Sequence, residues 1–158
     1  MTPDAITTDN YTKLVPTPNQ DTQAYWDALR ANRLTFQTCG KCGTPRHYPR
    51  PVCSVCYSMD VIWKDASGRG KVHSWTVAHH PFHPGFKGEV PYTLVTVDLE
   101  EGVRMQAQLK GADGQPFARS AREGGGEIKE LNIGLPVEVR FEKVKDDLVL
   151  PYFVEARG

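Results

Sequence analysis

Four cysteines within a short stretch constrain this chain more than any other feature of its sequence. They form two Cys-x-x-Cys pairs, Cys39 with Cys42 and Cys53 with Cys56, separated by ten residues, and the 158-residue chain has no other cysteine. A two-residue gap lets one tight turn present both thiolates to the same ion, and two such turns form the tetrahedral sulfur cage that zinc prefers. Because four protein ligands leave no open position, we predict a structural zinc ion and no chemistry at the metal.

The same four thiolates also suit iron in a rubredoxin-like site, so the sequence alone leaves the metal open between zinc and iron. A redox dithiol needs one pair rather than two and usually lies at a helix start, so this alternative has less support. Gly43, directly after the first pair, suits the tight turn, whereas Tyr57 after the second pair fits it less easily. Metal binding is expected to supply much of the folding energy of so short a segment.

Overall composition favours some classes of function over others. Lysine plus arginine and aspartate plus glutamate both total 19, and a neutral chain argues against a nucleic-acid-binding role, which usually needs a basic surface. No stretch approaches the roughly 20 apolar residues that span a bilayer, so no membrane association is expected. Residues 1–20 are polar and contain prolines, unlike a secretion signal. The clustered cysteines and the polar start predict a cytoplasmic protein.

The hydrophobic pattern predicts a mainly β protein in three parts: an extended arm at 1–20, a helix with a zinc ribbon at 21–64, and a barrel at 65–158. The helix is expected to begin at Asp21 or Thr22 and to reach about Asn32, with a short strand at 34–38 before the cysteines. Residues 111–130 are polar and contain three successive glycines, so a mobile loop is predicted there. The five strand-like runs of the barrel are 71–79, 92–99, 103–109, 135–144 and 149–156.

Five strands in about 90 residues are typical of a small closed barrel of the OB type. Together with the cysteine pairs, the chain resembles the zinc-ribbon plus OB-fold family known as domain of unknown function thirty-five. The resemblance covers residues 22–155, and it departs from the family at Tyr57, where glycine is common, and in the long loop 111–130. The segments that carry it are 25–29 (Tyr-Trp-Asp-Ala-Leu), 34–42, 49–53, 67–72, 74–77, 90–92, 97–104, 133–139 and 150–153.

The resemblance implies an auxiliary role in a hetero-oligomer. Members of the family assemble with thiolase-like or ketosynthase-like enzymes acting on coenzyme A thioesters, such as sterol side-chain aldolases, acetoacetyl-CoA thiolases, acetylphloroglucinol acyltransferases and benzoylsuccinyl-CoA thiolase. We therefore expect a zinc-binding subunit that is not catalytic alone but is needed by a partner carrying out Claisen-type carbon–carbon bond cleavage or formation. The acyl-CoA would be bound mainly by the partner. The alternative from a different class is an OB-fold protein that binds single-stranded nucleic acid.

Three histidines lie together in the segment between the first two barrel strands. His79, His80 and His83 share residues 78–91 with several prolines and glycines, which predicts a long, exposed loop. Polar contacts with a partner explain them most simply, while a second metal site lacks a supporting carboxylate pattern. Lys87 with His79 and His80 is also suited to a coenzyme A phosphate. The three histidines and Lys87 are therefore the candidate contacts for a partner or its acyl-CoA.

Overall fold

A computed structural model describes residues 11–117, 131–145 and 147–157. Its elements are one helix, α1 (Gln23–Arg30), a short 3₁₀ turn (Pro84–Phe86) and eight strands. The strands are β1 (Thr35–Cys39), β2 (Pro45–Arg46), β3 (Val61–Asp65), β4 (Arg69–Ala78), β5 (Tyr92–Leu99), β6 (Arg104–Leu109), β7 (Pro136–Lys145) and β8 (Leu148–Glu155). In the described part of the chain no helix is long and apolar enough to cross a membrane.

Helix α1 packs one face against β1 and β8. Tyr25 and Leu29 lie on that face and are buried, as expected from their spacing. Thr22 is the N-cap residue, but its side chain makes no capping hydrogen bond; the side chain of Asn19 accepts from Thr22 N at 3.1 Å instead. The helix is shorter than predicted because Asn32 adopts a positive φ of 55°, which a continuing helix cannot use.

The ribbon is a three-stranded antiparallel sheet in the order β2-β1-β3. Strand β1 is paired along its whole length with β3, from Thr35 opposite Asp65 to Cys39 opposite Val61. This central strand ends at the first cysteine, so the sheet fixes the position from which the metal-binding turns project. The strand predicted at 34–38 is therefore confirmed with a shift of one residue.

Strands β4 to β8 form a closed barrel in the order β4-β5-β6-β8-β7, with β7 pairing back onto β4. Only β6 and β8 are parallel, joined at Leu109 and Phe153. This is the connectivity of an OB fold, and it confirms the predicted fold class. The turn at 100–102 joins β5 to β6, and Gly102 there has a positive φ of 79°, which glycine adopts without strain.

The barrel core is formed by the side chains that alternate inward along the strands. Val95, Val97 and Val137 are fully buried, whereas Val139 and Phe141 are partly buried and pack against the same cluster. The first part of the polar loop is also anchored, because Phe117 is buried in this core. The rest of the predicted mobile loop, 118–130, lies outside the described residues, as do residues 1–10 of the predicted arm.

Candidate functional site

Two turns of the same design hold the four cysteines. In the first, the backbone N–H of Gly43 donates to Cys39 O at 2.9 Å. In the second, the N–H of Tyr57 donates to Cys53 O at 3.0 Å. Gly43 and Tyr57 have positive φ angles of 74° and 59°, so the second turn places a tyrosine in a conformation that favours glycine.

The sulfur atoms of the two turns face one another. All four ligand atoms lie within 4.8 Å of each other, with 3.5 Å between Cys39 Sγ and Cys56 Sγ and 3.7 Å between Cys42 Sγ and Cys53 Sγ. A zinc–sulfur bond of about 2.3 Å places the sulfurs of a regular tetrahedron about 3.8 Å apart. These two distances are close to that value, so the four sulfurs suit one zinc ion, and occupancy by zinc stays a prediction.

Local hydrogen bonds favour the thiolate form at two of the four sulfurs. The hydroxyl of Thr44, 3.1 Å from Cys42 Sγ, and its backbone N–H lower the pKa of Cys42 to about 6. Backbone N–H groups of Cys56 and Val55 lower the pKa of Cys53. Thiolates are the form that binds metal, so these donors prepare the site for a cation.

Cys56, the last of the four cysteines, has a raised pKa, and this shows why a cation is needed at the site. The backbone N–H of Ser58 lowers the pKa of Cys56, but burial and the neighbouring thiols, Cys42 first, raise it by more, to about 11. Four adjacent sulfurs cannot all carry negative charge unless a positive ion offsets their repulsion.

Gln37, which the sequence analysis did not single out, holds the proline-rich segment between the two turns. Its side chain is buried on β1, and Oε1 accepts from Arg46 Nε at 2.7 Å and from Arg50 N at 2.8 Å. These hydrogen bonds hold β2 and the segment that follows it against β1. A polar residue in the middle of a short strand is the sequence signal, since a buried glutamine must find partners.

An aromatic cluster joins the ribbon to α1, and it too was missed. The ring of His47 lies 5.3 Å from that of Tyr25, and Trp26 Nε1 donates to the Tyr48 hydroxyl at 3.1 Å. Burial lowers the pKa of His47 to about 4, so this histidine is neutral at physiological pH. Nothing local in the sequence marks His47 and Tyr48, because their partners are 22 residues or more away.

The predicted contact residues lie in the connection between β4 and β5. His79, His80 and Lys87 are exposed, while His83 is half-buried and its Nδ1 accepts from Gly85 N at 3.1 Å, which caps the 3₁₀ turn. Phe82 beside them is 84 % exposed. Among the described residues the four cysteines are the only group arranged to hold a metal, so the histidines do not form a second site there. A role in contacting a partner or acyl-CoA stays a prediction.

Each half of the chain matches the model of a known domain family. Residues 26–61 match the model for the rubredoxin-like zinc ribbon domain of ChsH2, and residues 63–142 match the model for the C-terminal OB-fold domain of ChsH2. The chain is also similar to a solved structure of the Ltp2-ChsH2 (DUF35) aldolase, with a TM-score of 0.73 and 36% identity, covering 90% of this chain and 100% of that one.

Three curated relatives have different names and differ in how much of their length this chain covers. A DUF35 domain-containing scaffold protein of Pyrococcus furiosus is 35% identical, with 77% of this chain and 79% of the relative covered. The benzoylsuccinyl-CoA thiolase subunit BbsA of Geobacter metallireducens is 31% identical, with 67% and 71% covered. A probable enoyl-CoA hydratase alpha subunit of Thermomonospora curvata is 36% identical over 87% of this chain, but the chain spans only 38% of that relative's length.

Proposed function

The chain belongs to the family of ChsH2 and DUF35 scaffold proteins, which join a rubredoxin-like zinc ribbon to an OB fold, and we propose that it is a zinc-binding subunit of a thiolase-like enzyme. In this proposal the partner acts on acyl-CoA thioesters by Claisen-type carbon–carbon bond cleavage or formation and needs this chain for activity. The observation that carries the proposal is the similarity over the full length of the ChsH2 chain in the two-component aldolase structure. We propose the cytoplasm as its location, from the cysteine usage.

The chain's own chemistry supports a division of labour. A thiolase-type reaction needs a nucleophilic thiol, and all four cysteines of this chain belong to the sulfur cage. A zinc ion there supplies no open coordination position and acts by fixing the two turns. The reacting thiol and most of the coenzyme A binding are therefore assigned to the partner.

Exposed apolar side chains on the second turn suit protein contact. Val55, Tyr57 and Met59 are 63%, 79% and 71% exposed on a segment that the metal would hold rigid. Exposed apolar and aromatic groups on a fixed surface are typical of interfaces. We propose that this surface docks on the partner and that His79, His80 and Lys87, with His83 shaping their loop, approach its acyl-CoA cleft.

Binding of single-stranded nucleic acid has less support from the geometry. OB barrels hold oligonucleotides on the outer face of their second and third strands. Here the corresponding strands are β5 and β6, and Tyr11 from the arm and Tyr48 from the ribbon stand over that face. The formal net charge of zero gives no compensating attraction.

Reconstitution with the partner tests the proposal. The chain alone is expected to show no turnover of acyl-CoA, the partner alone little, and the mixture carbon–carbon bond cleavage or formation. His80→Gln and Lys87→Met are expected to raise the KM for acyl-CoA several-fold while zinc content stays unchanged, and Lys64→Met, an exposed ribbon lysine, serves as the control. Full activity of the isolated partner would contradict the proposed role.

A further inference from the structure

A cavity of about 470 Å³ lies on the outer face of the barrel, and the proposed function makes no use of it. Its floor includes Leu94 of β5 and Gln106 and Gln108 of β6, which point away from the core residues of the same strands. The arm, the ribbon, the β4–β5 connection and β8 provide the walls. The wall residues include Tyr11, Lys13, His47, Tyr48, Phe86 and Tyr152.

The walls limit the cavity to a small molecule. Lys13 forms an ion pair with Glu89, and a Cβ placed on Gly85 would lie 2.8 Å from Lys13 Cγ, so the arm packs directly on the β4–β5 connection. The chain's own segments thus cover part of the face that a polymer would need to cross. The remaining volume is within the range of about 300–1,000 Å³ that is typical of small-molecule sites.

The charges at the cavity favour a neutral ligand. The buried ammonium of Lys110 lies 2.6 Å from a carboxylate oxygen of Glu142 and 4.8 Å from the centre of the Tyr152 ring. The other lysine of the lining, Lys13, is paired with Glu89. Since both ammonium groups already have a carboxylate partner, an anion would have to displace one of these to gain a charge-assisted bond.

One polar group of the floor lacks a partner. Gln108 Nε2 is buried with no hydrogen-bond acceptor among the described residues. A buried donor without an acceptor is costly, so a ligand oxygen that the half-buried Gln108 carboxamide can turn to meet in the cavity gains affinity. The walls around it are aromatic, with the rings of Phe86 and Tyr92 stacked 5.2 Å apart, which suits a flat ligand.

We propose that this cavity binds a neutral, flat, mainly apolar small molecule whose carbonyl oxygen accepts a hydrogen bond from Gln108 Nε2. The inference does not depend on the proposed partner, because every group it uses lies on this chain. Failure of the thiolase proposal would leave it intact, and its own failure would leave the thiolase proposal intact.

Three two-ring compounds of similar size test the carbonyl group and the neutral charge separately. 2-Acetylnaphthalene offers the carbonyl, 2-ethylnaphthalene lacks it, and 2-naphthoate replaces it with a negative charge. Titrated into the zinc-loaded full chain and followed by NMR, the ketone is expected to bind most tightly and to shift the amide signals of Leu94 and Gln108. Gln108→Leu is expected to weaken binding of the ketone about three- to tenfold, to the level of the hydrocarbon. Gln115→Leu, at an exposed glutamine outside the cavity, should change nothing.

A second variant tests whether the ligand binds in this cavity, and it leaves the polar side chains of the cavity unchanged. Leu94→Trp places a larger ring in the cavity from a side chain that is already 39 % exposed, so folding should be retained and binding of all three compounds lost. The proposal is overturned if the ketone does not bind the wild-type chain, if its signals map elsewhere, if naphthoate binds more tightly, or if Gln108→Leu and Gln115→Leu behave alike.

Discussion

At the scale of single residues, the two metal-binding turns differ most clearly at the position after the second cysteine. Gly43 and Tyr57 adopt nearly the same positive φ and donate the same hydrogen bond. A side chain other than glycine costs roughly 1–2 kcal/mol in this conformation. The exposed tyrosine is therefore held at an energetic cost, which is typical of positions kept for contact rather than for stability.

Exchanging the residues at these two positions should have opposite effects on stability. Tyr57→Gly is expected to raise the free energy of unfolding by about 0.5 kcal/mol, because relief of backbone strain exceeds the added freedom of the unfolded chain. Gly43→Ala is expected to lower it by about 1 kcal/mol, even though a Cβ there meets no atom within 4 Å. Urea unfolding of the zinc-loaded protein measures both, and a change of the same sign in the two variants would contradict this account.

Removal of one sulfur should remove the metal. The wild-type chain is expected to carry about one zinc ion, and Cys39→Ser or Cys53→Ser to lose it and to destabilise residues 34–64. Elemental analysis and amide hydrogen exchange measure the two effects. Ser54→Ala, an exposed position in the same turn as Cys53, is the control. A metal-free wild-type protein that remains fully folded would exclude the structural role.

His47 should make stability depend on pH. Its pKa is lowered to about 4 in the folded chain, against about 6.5 when unfolded, so the unfolded chain binds more protons between these values. Stability is then full above about pH 6.5 and is lost as the pH falls toward 4, by about 1–2 kcal/mol at pH 5. His47→Gln is expected to remove this part of the decrease, with zinc content measured at each pH. An unchanged pH profile in the variant would assign the decrease to other groups.

At the scale of elements, strands were predicted well wherever the pattern is local. The alternation through Val95, Val97 and Leu99 located β5 to the residue. Strands β2 and β3 were both missed. Pro45 and its neighbours lack strand character, and the place of β2 depends on the distant side chain of Gln37. Likewise, cysteine spacing indicated the sulfur cage, whereas the packing of His47 on Tyr25 follows from tertiary contacts that local periodicity does not encode.

A close approach between β4 and β5 gives a prediction at this scale. Gly70 lies on β4 where a Cβ would be 2.5 Å from Asp98 O and 2.7 Å from Val97 Cγ1. Gly70→Ala is therefore expected to lower the free energy of unfolding by about 2 kcal/mol or more. Gly88→Ala, where nothing lies within 4 Å, should change it by less than about 0.5 kcal/mol. Thermal unfolding compares the two variants. An equal change of the midpoint temperature in both would show that β4 and β5 do not approach each other so closely at Gly70.

At the scale of the whole molecule, the ribbon, the barrel and the arm act as one scaffold. The aromatic cluster at Trp26 and Tyr48 joins helix and ribbon, and the pair formed by Lys13 and Glu89 ties the arm to the barrel. A rigid scaffold with exposed loops is suited to positioning or lining the active site of another protein without performing a chemical step. This arrangement agrees with the subunit role proposed for the chain.

Affinity capture of the tagged, zinc-loaded chain from the cells that make it is the decisive test of the subunit role. A thiolase-like enzyme, identified by mass spectrometry, is expected in a fixed ratio to the chain and should be lost with the Cys53→Ser variant. Ser54→Ala should recover it at the wild-type level. Recovery of RNA or DNA in place of a thiolase-like enzyme, or of the chain alone, would exclude the subunit role.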